Sequence, residues 1–102
     1  MAKGRIAADM GIIEVIMAMA EENPGAATCM IQMLKSDSMA LFDILFFDSM
    51  EIDGSKIYMI WNECCNRDMV KLKETIEYFR SGKISKEQIH ENLNGVRAVP
   101  FI

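Results

Sequence analysis

Hydrophobic positions along this chain recur at helical spacing. Ile12, Ile13, Ile16, Met19 and Ala20 share one face of a helix predicted over 8–22, and Val15, Met17 and Ala18 extend that face sideways. Asn23-Pro24 reads as an N-cap followed by proline at the first helical position, where a missing amide hydrogen costs nothing, and so opens a second helix over 24–35. Ala27, Met30, Ile31 and Leu34 make its main face, widened by Cys29 and Met33, until Lys35-Ser36-Asp37-Ser38 ends it.

The third segment, 39–48, is apolar around almost its whole circumference, with Asp43 as the charge in its middle. A helix of that kind is expected to be buried on several sides. After an Asp53-Gly54-Ser55 turn, Ile57, Ile60, Trp61 and Cys64 define a fourth helix over 56–65. Asn66 or Asp68 caps a fifth over 68–81, built on Met69, Leu72, Ile76 and Phe79 and stopped by a left-handed cap at Ser81-Gly82. Ser85-Lys86-Glu87-Gln88 is a capping-box pattern for a sixth over 86–94, with Ile89 and Leu93 as its apolar contacts. Residues 96–102 lack helical periodicity and include Pro100, which predicts an extended tail docked through Val99, Phe101 and Ile102. The expectation is a single all-α domain over 1–102, a bundle of five to six short helices with an extended C-terminal tail.

Composition agrees with that reading: 51% hydrophobic and 25% charged residues, two prolines and six glycines place the 102-residue chain among globular, helix-forming sequences. Charge is divided unevenly. Residues 1–54 hold three basic and nine acidic side chains and residues 55–102 hold eight and six, within a net charge of −4. The chain lacks the dense basic block that binds phosphates by counterion release. Three cysteines, Cys29, Cys64 and Cys65, without CxxC spacing, fit reduced thiols in a cytosol. Asp9 and Glu14 interrupt the apolar stretch that follows Lys3 and Arg5, against a signal peptide, and no apolar run reaches membrane-spanning length. The expected location is cytoplasmic.

Chemical motifs are sparse. Glu87-Gln88-Ile89-His90 matches one half of a di-iron Glu-x-x-His pair, but this chain has one histidine, so a full ligand set would need a symmetric dimer. Cys64 or Cys65 with His90 carries no local nucleophile signature, and buried helix-face thiols are the better reading. Glu51-Ile52-Asp53-Gly54 lacks the alternating ligands of a calcium loop, with Ile60 where the closing glutamate belongs. No Gly-rich phosphate loop or Gly-x-Ser-x-Gly elbow occurs. No catalytic residue, metal or cofactor is assigned. The hairpin 68–94 is similar to a DNA-binding helix-turn-helix, with Arg67, Lys71, Lys73, Arg80, Lys83 and Lys86 nearby. Its turn is one residue too long, however, and Glu87 and Glu91 point outward from its second helix.

Ten methionines and the apolar excess of the first three helices point toward surface buried against another subunit or a partner. The candidate apolar patch is Met17, Met19, Met33, Phe42, Phe46 and Phe47, steered by Glu21, Glu22, Asp43, Asp48, Glu51 and Asp53.

At Asn23-Pro24-Gly25-Ala26-Ala27, Met39-Ala40-Leu41-Phe42-Asp43-Ile44-Leu45 and Ile52-Asp53-Gly54-Ser55-Lys56-Ile57, the chain resembles small helical proteins carried by phages and integrative elements of Gram-positive bacteria. The resemblance covers about the first two thirds, rests on helix-forming motifs of low specificity and implies no catalytic residues. It implies an accessory protein that binds another macromolecule, such as an inhibitor of a host defence system of the anti-CRISPR type. The expected function is therefore a non-enzymatic protein-binding or self-associating module, with a DNA-associated regulator using the basic hairpin as the alternative.

Overall fold

Asn23 serves two helices at once. Its backbone N–H closes the first by donating to the Ala20 carbonyl, and its side-chain oxygen accepts from Gly25 N at 2.7 Å to open the second. An extended conformation at Asn23 and a proline at the next position turn the chain without leaving a cap unfilled. The computed structural model describes residues 11–95 and 98–102, so the predicted helix start at 8–10 and the beginning of the tail at Val96 lie outside the described residues.

Among the described residues the chain is all-helical, as the periodicity predicts: α1 (Ile12–Glu22), α2 (Pro24–Ser36), α3 (Ala40–Ser49), α4 (Gly54–Met59), a π-helical turn (Ile60–Cys64), α5 (Met69–Arg80) and α6 (Lys86–Leu93). The helices group into two compact units, Met1–Tyr58 and Met59–Ile102.

In the first unit α1, α2 and α3 pack against one another in all three pairings. Val15 and Met19 of α1, Ala26, Cys29, Met30 and Met33 of α2, and Ala40, Ile44 and Phe47 of α3 are buried. The buried face of α2 is rotated from the one its apolar content suggests, because Ile31 and Leu34 lie on the exposed side. Asp37 accepts from Met39 N at 2.9 Å and starts α3. Asp53 does the same for α4, its Oδ1 accepting from Lys56 N at 3.0 Å, so that helix begins at Gly54, two residues ahead of the predicted start. Gly25 and Gly54 are both sites of close approach. A Cβ on Gly25 would meet the Tyr58 ring, and one on Gly54 would meet the carbonyl oxygen of Met19.

In the second unit the predicted end of the fourth helix is π-helical: Cys65 N donates to Ile60 O at 2.9 Å, one residue wider than an α turn. Asn66 and Arg67 then take left-handed φ values of 53° and 59°. Arg67 is held there by its side chain. Its Nε donates to Asn62 Oδ1 at 2.7 Å and its guanidinium sits 5.5 Å from the Trp61 ring centroid. Asp68 caps α5 through Val70 N and Lys71 N, and Leu72, Thr75, Ile76 and Phe79 form that helix's buried face. Gly82 has φ 80°, the left-handed stop expected after α5. The capping box of Ser85 and Gln88 forms in both directions and starts α6. The described tail, 98–102, has no regular structure but is tied down: Asn92 donates to Val99 O at 2.9 Å and accepts from Val99 N at 3.3 Å, and Phe101 meets Phe79 edge to face at 4.8 Å. Phe101 is its anchor. Val99 and Ile102, expected to dock as well, are 53% and 47% exposed.

Candidate protein-binding surface

The third helix is inverted in polarity. Asp43, its mid-helix charge, is 6% exposed and shares the inner side with Ala40, Ile44 and Phe47, whereas Phe42 is 55% exposed and Leu41 36%. Leu45 and Phe46 are half-buried. The expectation that α3 is covered on several sides therefore gives way to burial on one. A unit of this size has too little chain to cover every side of α3, and Leu41 and Phe42 are left to solvent.

The predicted apolar patch separates accordingly. Met17 and Phe42 are at the surface and Phe46 is half-buried. Met19, Met33 and Phe47 are core residues, because α1, α2 and α3 need them to fill the space between helices. The apolar surface of the first unit is made by Met17 and Phe42 together with Ile13, Ile31, Leu34, Met39 and Leu41, of which periodicity assigns Ile13, Ile31 and Leu34 to the main apolar faces of their helices. One signal in the sequence anticipates part of this. Ile13, Ile16, Met17 and Ala20 recur at the spacing of a complete helix seam, in addition to the row through Val15 and Met19.

The predicted acidic residues divide in the same way. Glu21, Glu22 and Glu51 are exposed and Asp48 is half-buried, whereas Asp43 is buried and unable to steer a partner from the surface. Asp53, half-buried, is occupied as the cap of α4, with Ser55 Oγ also donating to it at 3.2 Å. Glu22 lies beside Asp53. Its carboxyl is held above the ordinary glutamate range, first by partial desolvation and then by the Asp53 carboxylate and a hydrogen bond with it, with Lys56 pulling the other way.

The basic residues of the α5–α6 hairpin do not share a single-sign face. Arg80 and Lys83 are exposed and Lys71, Lys73 and Lys86 half-buried, while Arg67 engages Trp61 and Asn62. Exposed Glu74 and Glu77 lie between Lys73 and Arg80 along α5, and Glu87 and Glu91 are exposed on α6. Such interleaving weakens any field toward a phosphate backbone.

The buried thiols show no sign of activation. Cys64 and Cys65 are 5% and 2% exposed, and burial pushes Cys64 up to about 11, with Cys65 and the Glu63 charge adding to it. Cys65 is also raised by burial, against the opposing effects of Thr75, whose Oγ1 is 3.5 Å from its sulfur, and of Lys71. Thiolate chemistry needs the opposite shift. Among the described residues no group of three His, Cys, Asp or Glu side chains could hold a metal ion, and no helix is long and apolar enough to cross a membrane. Comparisons with known protein families, with characterised proteins and with solved structures return no match for this chain.

Proposed function

We propose that this chain is a non-enzymatic protein-binding module whose working surface lies on α1–α3. One observation carries the reading. Within residues 11–58, seven large apolar side chains, from Ile13 at 63% to Leu41 at 36%, are exposed, while the charge in the middle of α3 is buried at 6%. Seven large apolar side chains at the surface of so small a unit, Phe42 among them, fit a surface meant to be covered. Phe42 and Met17 supply contact area; exposed Glu21, Glu22 and Glu51 supply long-range attraction and orientation. In this reading the protein works in the cytosol, with its thiols reduced, as a small accessory protein of a phage or mobile element. An inhibitor of a host defence system is one protein of that kind.

Affinity purification from host lysate, run in parallel with wild type and with Phe42→Lys and Met17→Lys, tests the proposal, with light scattering reporting self-association. Retention of a defined protein, or a dimer, that is lost in these variants supports it. A monomer that retains no protein, or retains the same ones whatever stands at 17 and 42, refutes it. The basic hairpin is a weaker basis for function because glutamates interrupt its cationic face.

A further inference from the structure

We infer that the outward face of α1 receives a basic amphipathic helix of a partner protein. This rests on the protein-binding reading and names the chemistry of the partner. α1 has two apolar seams where a helix on the edge of a small unit needs one. Val15 and Met19, at 4% and 5% exposure, belong to the core. On the other side, Ile13, Ile16, Met17 and Ala20 stand at positions i, i+3, i+4 and i+7, with Ile13 63% and Met17 58% exposed and Ile16 and Ala20 half-buried. Large residues beside a small one at that spacing make the ridge and groove into which another helix fits.

The charges beside the seam say which helix. Glu14 is exposed next to Ile13, and exposed Glu21 continues the row of Ile13 and Met17 by one more turn. The last turn of α1 ends in Glu21 and Glu22 and holds no basic residue, so its carboxylates sit at the negative end of the helix dipole. That placement does nothing to stabilise the helix and deepens the negative potential at the seam. Residues 1–58 carry nine carboxylates against four Lys and Arg side chains. A second copy of this chain would bring the same acidic flank toward itself. A helix with a Leu, Ile or Met stripe bordered by Lys and Arg fills the seam and meets the glutamates with opposite charge.

The probe is a synthetic helix of about 18 residues with leucine at i, i+3, i+4 and i+7 and lysine on both flanks, and a control in which glutamate replaces lysine. Binding is followed by fluorescence anisotropy at about 50 mM salt and again near 500 mM, where screening confines charge effects to contact range. The lysine peptide is expected to bind at least tenfold tighter than the glutamate peptide. Met17→Lys is expected to lose at least tenfold, and the double variant Glu14→Gln, Glu21→Gln to lose severalfold at low salt only. All these positions are exposed, and an unchanged circular dichroism spectrum confirms that the variants fold. Equal binding of the two peptides, or indifference to Met17→Lys, overturns the inference, as does a homodimer that Met17→Lys dissociates. A lysate partner lost in Met17→Lys while the lysine peptide fails to bind would sink this inference alone and leave the protein-binding reading standing.

Discussion

Gly54, at the start of α4, lies against the carbonyl oxygen of Met19 in the last turn of α1, so close that a Cβ could not be placed there. The neighbour is backbone, which cannot swing aside as a side chain would. Gly54→Ala is expected to destabilise the protein by about 2 kcal/mol or more, the scale of overpacking a closed interior. Urea unfolding followed by circular dichroism measures it. A midpoint unchanged from wild type would show that the two helices are not in this contact.

Two phenylalanines of one helix provide a sharper contrast. Phe47 is 0% exposed and Phe42 55%. Phe47→Ala is expected to cost about 3–5 kcal/mol through lost burial and a residual cavity, whereas Phe42→Ala should stay within about 0.5 kcal/mol of wild type in the absence of a partner. Similar losses at both positions would mean that the outer side of α3 is covered within the chain itself.

The Glu22 carboxyl makes stability depend on pH in an uncommon direction. Because the folded protein holds the Glu22 proton more tightly than the unfolded chain does, the contribution of Glu22 is fully present below the ordinary glutamate range and is lost as pH rises through the raised folded value. Glu22→Gln is expected to flatten that part of the stability profile. Thermal unfolding of both proteins across the range from pH 4 to about 7 reads it out. An identical slope in the two would separate Glu22 from Asp53.

The thiols yield a kinetic test. With Cys64 raised to about 11 and both adjacent sulfurs buried, alkylation by iodoacetamide at neutral pH should proceed only through unfolding, so that urea accelerates it steeply. Rapid labelling of either sulfur in the native protein, seen by mass spectrometry, would contradict the burial. The linked pH effect has the opposite origin from acid denaturation: unfolded thiol ionises first, and stability falls as pH climbs from the ordinary thiol range toward about 11.

Phe101 anchors the chain end on Phe79 at 4.8 Å, edge to face. Phe101→Ala is expected to cost about 1 kcal/mol and to speed amide exchange of Val99, whose N–H reaches Asn92. Unchanged exchange there would leave the tail held by Asn92 alone.

The polar punctuation of this chain could be read before any fold was known. Asn23, Ser85 and Gly82 act within a few residues of themselves, through a cap, a capping box and a positive φ, so their effect depends on local sequence alone. Positions 60–67 lie beyond such reading. The wide turn ending at Cys65 and the left-handed Arg67 need Trp61 and Asn62 to be in place, and no spacing rule announces them.

The all-helical class, the approximate ends of the helices and the apolar excess of α1–α3 were thus determined by sequence alone, because periodicity and capping are short-range. Which apolar row turns inward was decided only by tertiary packing. α1, α2 and α3 each have more than one hydrophobic side, and which side is covered depends on neighbours distant in sequence: packing put Ala26, Cys29, Met30, Ala40 and Phe47 inside and left Ile13, Ile31 and Phe42 in water. The candidate surface is what that choice left over.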